Sequence, residues 1–165
     1  MNSIDNTFFP LVKSDAIFSD DRIHRYTLWR IWNKELPKVL FIGLNPSTAT
    51  ETKNDPTIRR CMGYAKYWGY GGYIMGNIFA FRSTNPAKLR NTSDPIGPKN
   101  DYWLKRLYEE ADLTIAAWGT NGKYMNRGNQ VLELFSNLKC LRITKNGYPS
   151  HPLYLPKNLK PIHYK

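Results

Sequence analysis

The feature that most constrains the fold of this chain is a short apolar run that stops at a glycine. It covers residues 39 to 43, and a polar loop follows at residues 44 to 50. Five residues are too few for a helix and lack the alternation of a half-exposed strand, so the run predicts a strand buried on both faces of a parallel sheet. Open α/β sheets bind ligands at the carboxyl ends of such strands. We therefore expect a functional site after Gly43, with an ordinary turn as the alternative.

Further apolar runs alternate with helical patterns along the rest of the chain. Three more buried strands are predicted, at residues 73–81, 113–119 and 140–144. Helices are predicted from Asp55-Pro56, where an N-cap residue precedes a proline, and over residues 100–111 and 124–138. This alternation predicts one α/β domain spanning residues 1–165, a three-layer α/β/α sandwich with a four-stranded, mainly parallel sheet.

The N-terminal part of the chain has a different pattern. Residues 1–22 are mixed in character and are interpreted as an arm. Residues 23–33 alternate polar and apolar side chains, which predicts a half-exposed strand that pairs with residues 15–19 as an edge hairpin. In this interpretation His24 lies at the surface.

Charge and composition indicate the partner. The net charge is +11, and residues 56–93 and 134–165 contain no acidic residue. Lys and Arg interleaved with aromatic residues are typical of a nucleic-acid-binding groove, although solvated basic faces are the alternative. No run approaches the ~20 apolar residues of a membrane span. Two cysteines are too few for a disulfide framework. Residues 1–11 lack the basic-then-apolar pattern of a secretory signal, so we expect a cytoplasmic protein. We also expect a monomer without a membrane partner.

Polar side chains follow the predicted strands. The strand exits should meet at one edge of the sheet and bring Asn45, Asn77 and His151 together. Asn77 stands within an apolar run, where unpaired amide groups cost about 1–3 kcal/mol each, so it binds either the backbone or a ligand. Arg59 and Arg60 lie in the first turn of a predicted helix, where positive charge interacts unfavourably with the helix dipole. Their presence there favours a role in binding an anion. For Asp55 a purely structural cap is the main interpretation.

These polar segments resemble motifs of the uracil-DNA glycosylase superfamily over roughly residues 38 to 160. Gly43-Leu44-Asn45-Pro46 is similar to its first motif, residues 73–86 to its second sheet segment, and His151-Pro152 to the start of its last motif. The resemblance implies that Asn45 positions the attacking water and that Asn77 reads the edge of a flipped base. It also implies that His151 faces the base carbonyl and that residues 153–156 enter the duplex.

The resemblance implies a uracil-DNA-glycosylase-like fold and two catalytic residues, Asn45 and His151. The residues expected to bind the base are Gly43, Leu44, Pro46, Asn77 and Phe79. The residues expected to contact phosphate or nucleic acid are Ser47, Thr48, Arg59, Arg60, Arg82, Ser150 and Lys157. Asp55 is a possible additional member. This chemistry requires no metal and no other cofactor, and no His/Cys/Asp cluster in the sequence has ligand spacing.

A second resemblance covers residues 43–50 together with residues 54–60, and it is to an uncharacterised bacterial and phage family. The function expected from the glycosylase resemblance is cleavage of the N-glycosidic bond of a uracil-like or modified base in DNA. Two alternatives stay open. One is a binding-only module that keeps the basic groove without the chemistry, and the other is an enzyme acting on nucleotides or RNA in which Arg59 and Arg60 hold a phosphate.

Overall fold

The computed structural model describes residues 14–165, so most of the predicted N-terminal arm lies outside the described residues. The chain forms a sheet flanked by helices. The strands are β1 (Ser14–Phe18), β2 (Arg25–Ile31), β3 (Lys38–Gly43), β4 (Gly72–Asn77), β5 (Leu113–Ala116), β6 (Lys139–Cys140) and β7 (Ile162–His163). The helices are α1 (Pro56–Tyr67), α2 (Asn100–Glu110) and α3 (Arg127–Leu134), with 3₁₀ segments at Pro86–Asn91 and Thr120–Asn126.

The seven strands of the described sheet lie in the order β1-β2-β4-β3-β5-β6-β7. The four predicted parallel strands are present as β4-β3-β5-β6. The prediction of a four-stranded sheet is nevertheless wrong, because β2 pairs with β4 and makes the hairpin part of the same sheet, and β7 pairs with β6. A strand of two residues such as β7 is too short to give a hydrophobic pattern.

The alternating strand β2 is not half-exposed. All seven of its residues are buried, including Arg25 and Arg30. The guanidinium of Arg25 donates to the carbonyl of Ala49, and that of Arg30 donates to the carbonyls of Thr50 and Lys53. The loop after β3 therefore covers these arginines of β2, which the alternating pattern had predicted to lie in solvent.

Helices cover both faces of the sheet, because alternate residues of β3 point to opposite sides. Phe41 belongs to a core cluster with Ile58 and Ala65 of α1. Leu40 belongs to the other cluster, which includes Leu104 of α2 and Val131 of α3. The structure confirms the α/β class and the layering of helices on either side of the sheet.

Local signals explain where the helices begin. Asp55 caps α1, since its Oδ1 accepts a hydrogen bond from the N–H of Ile58 at 2.9 Å, and Pro56 opens the helix as predicted. Helix α3 begins later than predicted because Met125 and Asn126 have φ angles of 56° and 55°. Two successive residues in the left-handed region end the preceding 3₁₀ segment and delay the helix.

Candidate functional site

A cleft of about 440 Å³ opens at the carboxyl ends of β3, β4 and β5. Its volume falls within the ~300–1,000 Å³ typical of small-molecule sites. The loops after these strands, the start of α1 and the segment after His151 form its walls. Its lining includes Arg25, Gly43, Leu44, Asn45, Ser47, Asp55, Asn77, Ser83, Thr84, Trp118, Asn121 and His151. The structure thus brings Asn45, Asn77 and His151 to one cavity, as the strand exits predicted.

Asn77 lines this cleft from the end of β4. The residue is 1% exposed, and neither Nδ2 nor Oδ1 has a hydrogen-bond partner within residues 14–165. Its backbone carbonyl is paired, since it accepts from the side chain of Asn100 at 2.9 Å. Leaving both side-chain groups unpaired costs on the order of 1–3 kcal/mol each. The amide therefore offers the N–H donors of Nδ2 and the acceptor Oδ1 to a ligand in the cleft.

Gly43 makes room for this amide. A Cβ at residue 43 would lie 2.9 Å from Oδ1 of Asn77 and 2.6 Å from Cε of Met75, both shorter than ordinary contacts. The glycine that ends β3 thus allows a close approach of a neighbouring side chain, and its φ angle is not in the left-handed region.

Asn45 is half-buried and its amide is held by the backbone. Its Nδ2 donates to the carbonyls of Ser83 at 2.9 Å and Pro46 at 3.1 Å. These bonds assign the nitrogen to the protein and leave Oδ1 as the group that can accept from a water molecule. The orientation of the amide is therefore set before a ligand arrives.

His151 lies at the mouth of the cleft with an exposed ring. Its Nδ1 accepts from the N–H of Leu153 at 3.2 Å, which favours the neutral tautomer with the proton on Nε2. Partial desolvation lowers the pKa of His151 below its ordinary value of 6.5, and the carboxylate of Asp55 opposes this shift. His151 is therefore neutral at pH 7, with an Nε2–H donor available.

Asp55 is 6% exposed and lines the cleft with both oxygens already bonded. Oδ1 accepts from Ile58, and Oδ2 accepts from the N–H of Ala49 at 3.3 Å. One carboxylate thus caps α1 and fixes the loop after β3. This pairing is what the cap interpretation predicted, and it places a negative charge near His151.

Arg25 is a lining residue that sequence reasoning missed. Its side chain is 1% exposed, and Nε has no hydrogen-bond partner in the described part of the chain. Burial lowers the pKa of Arg25 to about 10, so it is still charged at pH 7. The alternating pattern of β2 gave no signal for it, because the loop that covers it comes from a segment about 24 residues further along the chain.

Other predicted site residues lie outside the cleft. Phe79 is fully buried and packs against the ring of Tyr124 at 5.7 Å between centroids, within the hydrophobic core. Thr48 is exposed, and Pro46 is buried beside the cleft with its carbonyl accepting from Ser83. Base contact by Phe79, as the resemblance implied, would require it to leave the core.

Two more of the predicted contacts for nucleic acid are also used within the protein. The guanidinium of Arg82 lies 4.7 Å from the ring centre of Phe18, and its Nη1 donates to the carbonyl of Arg22. Ser150 is 8% exposed, and its N–H donates to the carbonyl of Arg142. Neither residue lines the cleft.

The remaining three predicted phosphate contacts lie together in a second cavity of about 440 Å³, which we call the α1 groove. It is lined by Arg59, Arg60, Gly63, Tyr64, Tyr67 and Lys157. The Arg60 guanidinium donates to the carbonyl of Leu155 at 2.9 Å, and the Tyr64 hydroxyl donates to that of Pro156 at 2.6 Å. These bonds attach the segment after His151 to α1, so the same two segments border both the cleft and the α1 groove.

Within residues 14–165, no group of three or more His, Cys, Asp or Glu side chains is placed to hold a metal ion. In the same part of the chain, none of the helices has the length and apolar character that crossing a membrane requires.

Comparison with known proteins gives one family. Residues 25–153 match the family described as "Protein of unknown function (DUF1643)". The chain belongs to this family. Neither a curated protein nor a solved structure matches the chain. Membership agrees with the resemblance to an uncharacterised family, whereas the resemblance to uracil-DNA glycosylases stays a prediction.

Proposed function

We propose that this member of the DUF1643 family recognises a base of a nucleic acid and acts as a DNA glycosylase-like hydrolase of a uracil-like or modified base. The observation that carries the proposal is the unpaired amide of Asn77 in the cleft. A pyrimidine ring presents an amide-like donor and acceptor side by side, and the Asn77 amide is complementary to such an edge. Buried polar groups without partners reject ligands that cannot pair with them, which gives selectivity.

The two neighbouring side chains suit the hydrolysis. Breaking the N-glycosidic bond leaves its electron pair on the base and positive charge on the sugar, so the site must stabilise both. The neutral His151 donates from Nε2 to a carbonyl oxygen of the departing base. Asn45 holds a water with Oδ1, and the water oxygen bonds to the sugar carbon while its proton ends on the released base. The products are the free base and an abasic sugar.

Arg25 adds a buried positive charge to the lining of the cleft. Its guanidinium is positive at pH 7 and lines the cleft in a buried position. A fixed positive charge in a poorly solvated site stabilises the anionic base that leaves. The same charge also favours binding of any anionic ligand, so it supports base excision and nucleotide binding alike.

The test is a screen of the purified protein against oligonucleotides that carry uracil or phage-type modified bases, with abasic sites detected by alkaline strand cleavage. The wild type is expected to form abasic sites at one class of base. Asn77→Asp should change which base is accepted, because it exchanges a donor for an acceptor. Asn146→Asp makes the same chemical change at an exposed asparagine and is the matched control.

The outcomes separate the alternatives. Base-dependent affinity without abasic sites would favour the binding-only module. Tight binding of a mononucleotide that exceeds binding of the oligonucleotide would favour an enzyme on free nucleotides. Equal affinity for all bases, with no abasic sites, would contradict the proposal.

A further inference from the structure

Nothing in residues 14–165 requires a glycine at position 63. It lies within α1, where glycine is less favourable than alanine because it loses more backbone freedom on folding. Its φ angle is not in the left-handed region, and a Cβ built on it would meet no atom of the described residues within 4 Å. Neither a turn nor close packing within residues 14–165 therefore accounts for it. A missing side chain at this exposed position also permits the close approach of a ligand.

The surroundings of Gly63 indicate the chemistry of that ligand. Arg59 and Lys157 are exposed in the α1 groove, and Arg60 is fixed there by its bond to Leu155. Within the described residues no acidic side chain lines the groove. Three cations without an acid suit a phosphate-bearing ligand.

An aromatic ring completes the groove. Tyr67 is 56% exposed and lies one helical turn after Gly63, so both residues occupy the same face of α1. Exposed aromatic rings beside cations are what sequence-independent single-strand sites use, with the cations on phosphates and the ring against a base. Gly63 would then leave room for the sugar between the two.

We propose that the α1 groove is a subsite for the nucleotide next to the target nucleotide in the same nucleic-acid strand. Arg59, Arg60 and Lys157 hold its phosphate, and Tyr67 stacks on its base. The inference rests on the proposed function, since it takes the target base to lie in the cleft. Adjacent placement follows from the shared walls: Thr57 and Leu153 line the cleft, and Arg59 and Lys157 line the groove. The substrate would be a strand rather than a free nucleotide.

The test measures binding of a labelled single-stranded 15-mer DNA by fluorescence anisotropy at several salt concentrations. The double variant R59A/K157A should weaken binding by about 10-fold and reduce the log–log salt slope by about 0.7, as expected for one lost phosphate contact in a single strand. Tyr67→Ala should weaken binding by about 5-fold or more with an unchanged salt slope, because stacking is not an ionic contact. Tyr67→Phe keeps the ring and should bind with the affinity of the wild type.

Gly63 variants give a second, independent measurement. Gly63→Ala should raise the melting temperature by about 2–4 °C, because alanine favours the helix. Gly63→Leu should also fold, yet weaken binding of the 15-mer by about 10-fold, since its side chain fills the groove. Lys105→Ala, which removes an exposed charge from α2 on the other face of the sheet, is the control and should change affinity less than twofold.

Each result bears on one of the two proposals. If the groove variants bind the 15-mer like the wild type, the subsite is wrong, even where the Asn77 variant changes base selectivity. If they weaken binding while no base is preferred, the α1 groove binds the strand, but the proposed function fails and the groove is not the neighbour of a target nucleotide. A further outcome is that inorganic phosphate or a mononucleotide displaces the labelled 15-mer from the groove as effectively as unlabelled 15-mer. That result would show that the groove is an anion site only, and it would overturn the strand subsite. A wild type that binds no DNA at 50 mM salt would overturn both.

Discussion

Gly43 and Asn77 are register partners in the parallel pair β3 and β4. Gly43 has no side chain, and in the space beside it the unpaired amide of Asn77 lines the cleft. The Gly-x-Asn-Pro string at residues 43–46 therefore has two separate effects. Asn45 supplies a fixed amide of its own, and Gly43 gives the amide of Asn77 its place. A sequence motif that reads as local thus depends on a residue from the next strand of the sheet.

Gly43→Ala should displace Asn77. The added methyl group would stand 2.9 Å from its Oδ1, and the end of Met75, at 2.6 Å, can move more easily because its side chain is flexible. We expect a loss of about 1–3 kcal/mol in the free energy of unfolding and a loss of base-dependent binding. Urea denaturation and oligonucleotide affinity measure the two effects. Ser136→Ala, at an exposed residue outside the cleft and the α1 groove, is the control. An unchanged base preference in Gly43→Ala would show that the Asn77 amide is not the reader.

Asn77→Leu should make the protein more stable and less functional. The substitution removes two buried groups without partners and replaces them with an apolar side chain of similar volume. We expect unfolding to require about 1–3 kcal/mol more free energy, while base-dependent binding falls to background. Denaturation in urea gives the first quantity. Destabilisation instead would mean that the amide has partners in solution, such as ordered water, and that its role is structural.

Asn45→Ala should slow single-turnover cleavage by about 10²-fold, on the order of 3 kcal/mol, with DNA affinity within a few-fold of the wild type. The reason is that Oδ1 is oriented by the bonds of Nδ2 to Ser83 and Pro46, so the water is placed in advance. Asn45→Asp should be equally slow, because its second oxygen would face those two carbonyls. A wild-type rate in either variant would place the water elsewhere.

The sequence was informative where a signal is local. The cap of Asp55 on Ile58 and the glycine at the end of β3 are visible as short strings, and both were predicted. The prediction that Asn45, Asn77 and His151 lie together was also correct, because the carboxyl ends of parallel strands meet at one edge of the sheet.

Long-range covering contacts were not predictable in this way. The burial of Arg25 and Arg30 depends on carbonyls of the loop after β3, and an alternating pattern in β2 favours solvent for such residues. Phe79 was placed at the base site by resemblance, whereas Tyr124 holds it in the core. In both cases the deciding contact comes from a segment far along the chain.

Arg30→Met should weaken the loop after β3. Its guanidinium donates to Asn54 Oδ1 at 2.9 Å, to the carbonyl of Thr50 at 2.6 Å and to that of Lys53 at 3.2 Å. Methionine fills much of the volume and leaves these acceptors without that donor, so we expect a loss of about 2–4 kcal/mol in the free energy of unfolding. Urea denaturation measures it, with Lys105→Met as the exposed control. A loss below 0.5 kcal/mol would show that water replaces the guanidinium without cost.

Activity should fall as the pH drops through the folded-state pKa of His151, which lies below 6.5, because only neutral His151 accepts from Leu153 at Nδ1 while it donates from Nε2. The folded-state pKa of His151 is lowered by desolvation, with Asp55 opposing, so the folded protein binds fewer protons than the unfolded chain at acid pH. The contribution of His151 to stability is therefore present above pH 6.5 and is lost as the pH falls through the folded-state pKa. Single-turnover rates between pH 5 and 8 should show this fall in the wild type, and His151→Gln should be slower and flat over the same range. His24→Gln, which changes a histidine outside the cleft, should keep the wild-type profile. A fall of equal size in His151→Gln would assign the titration to another group and remove His151 from the role of donor to the base.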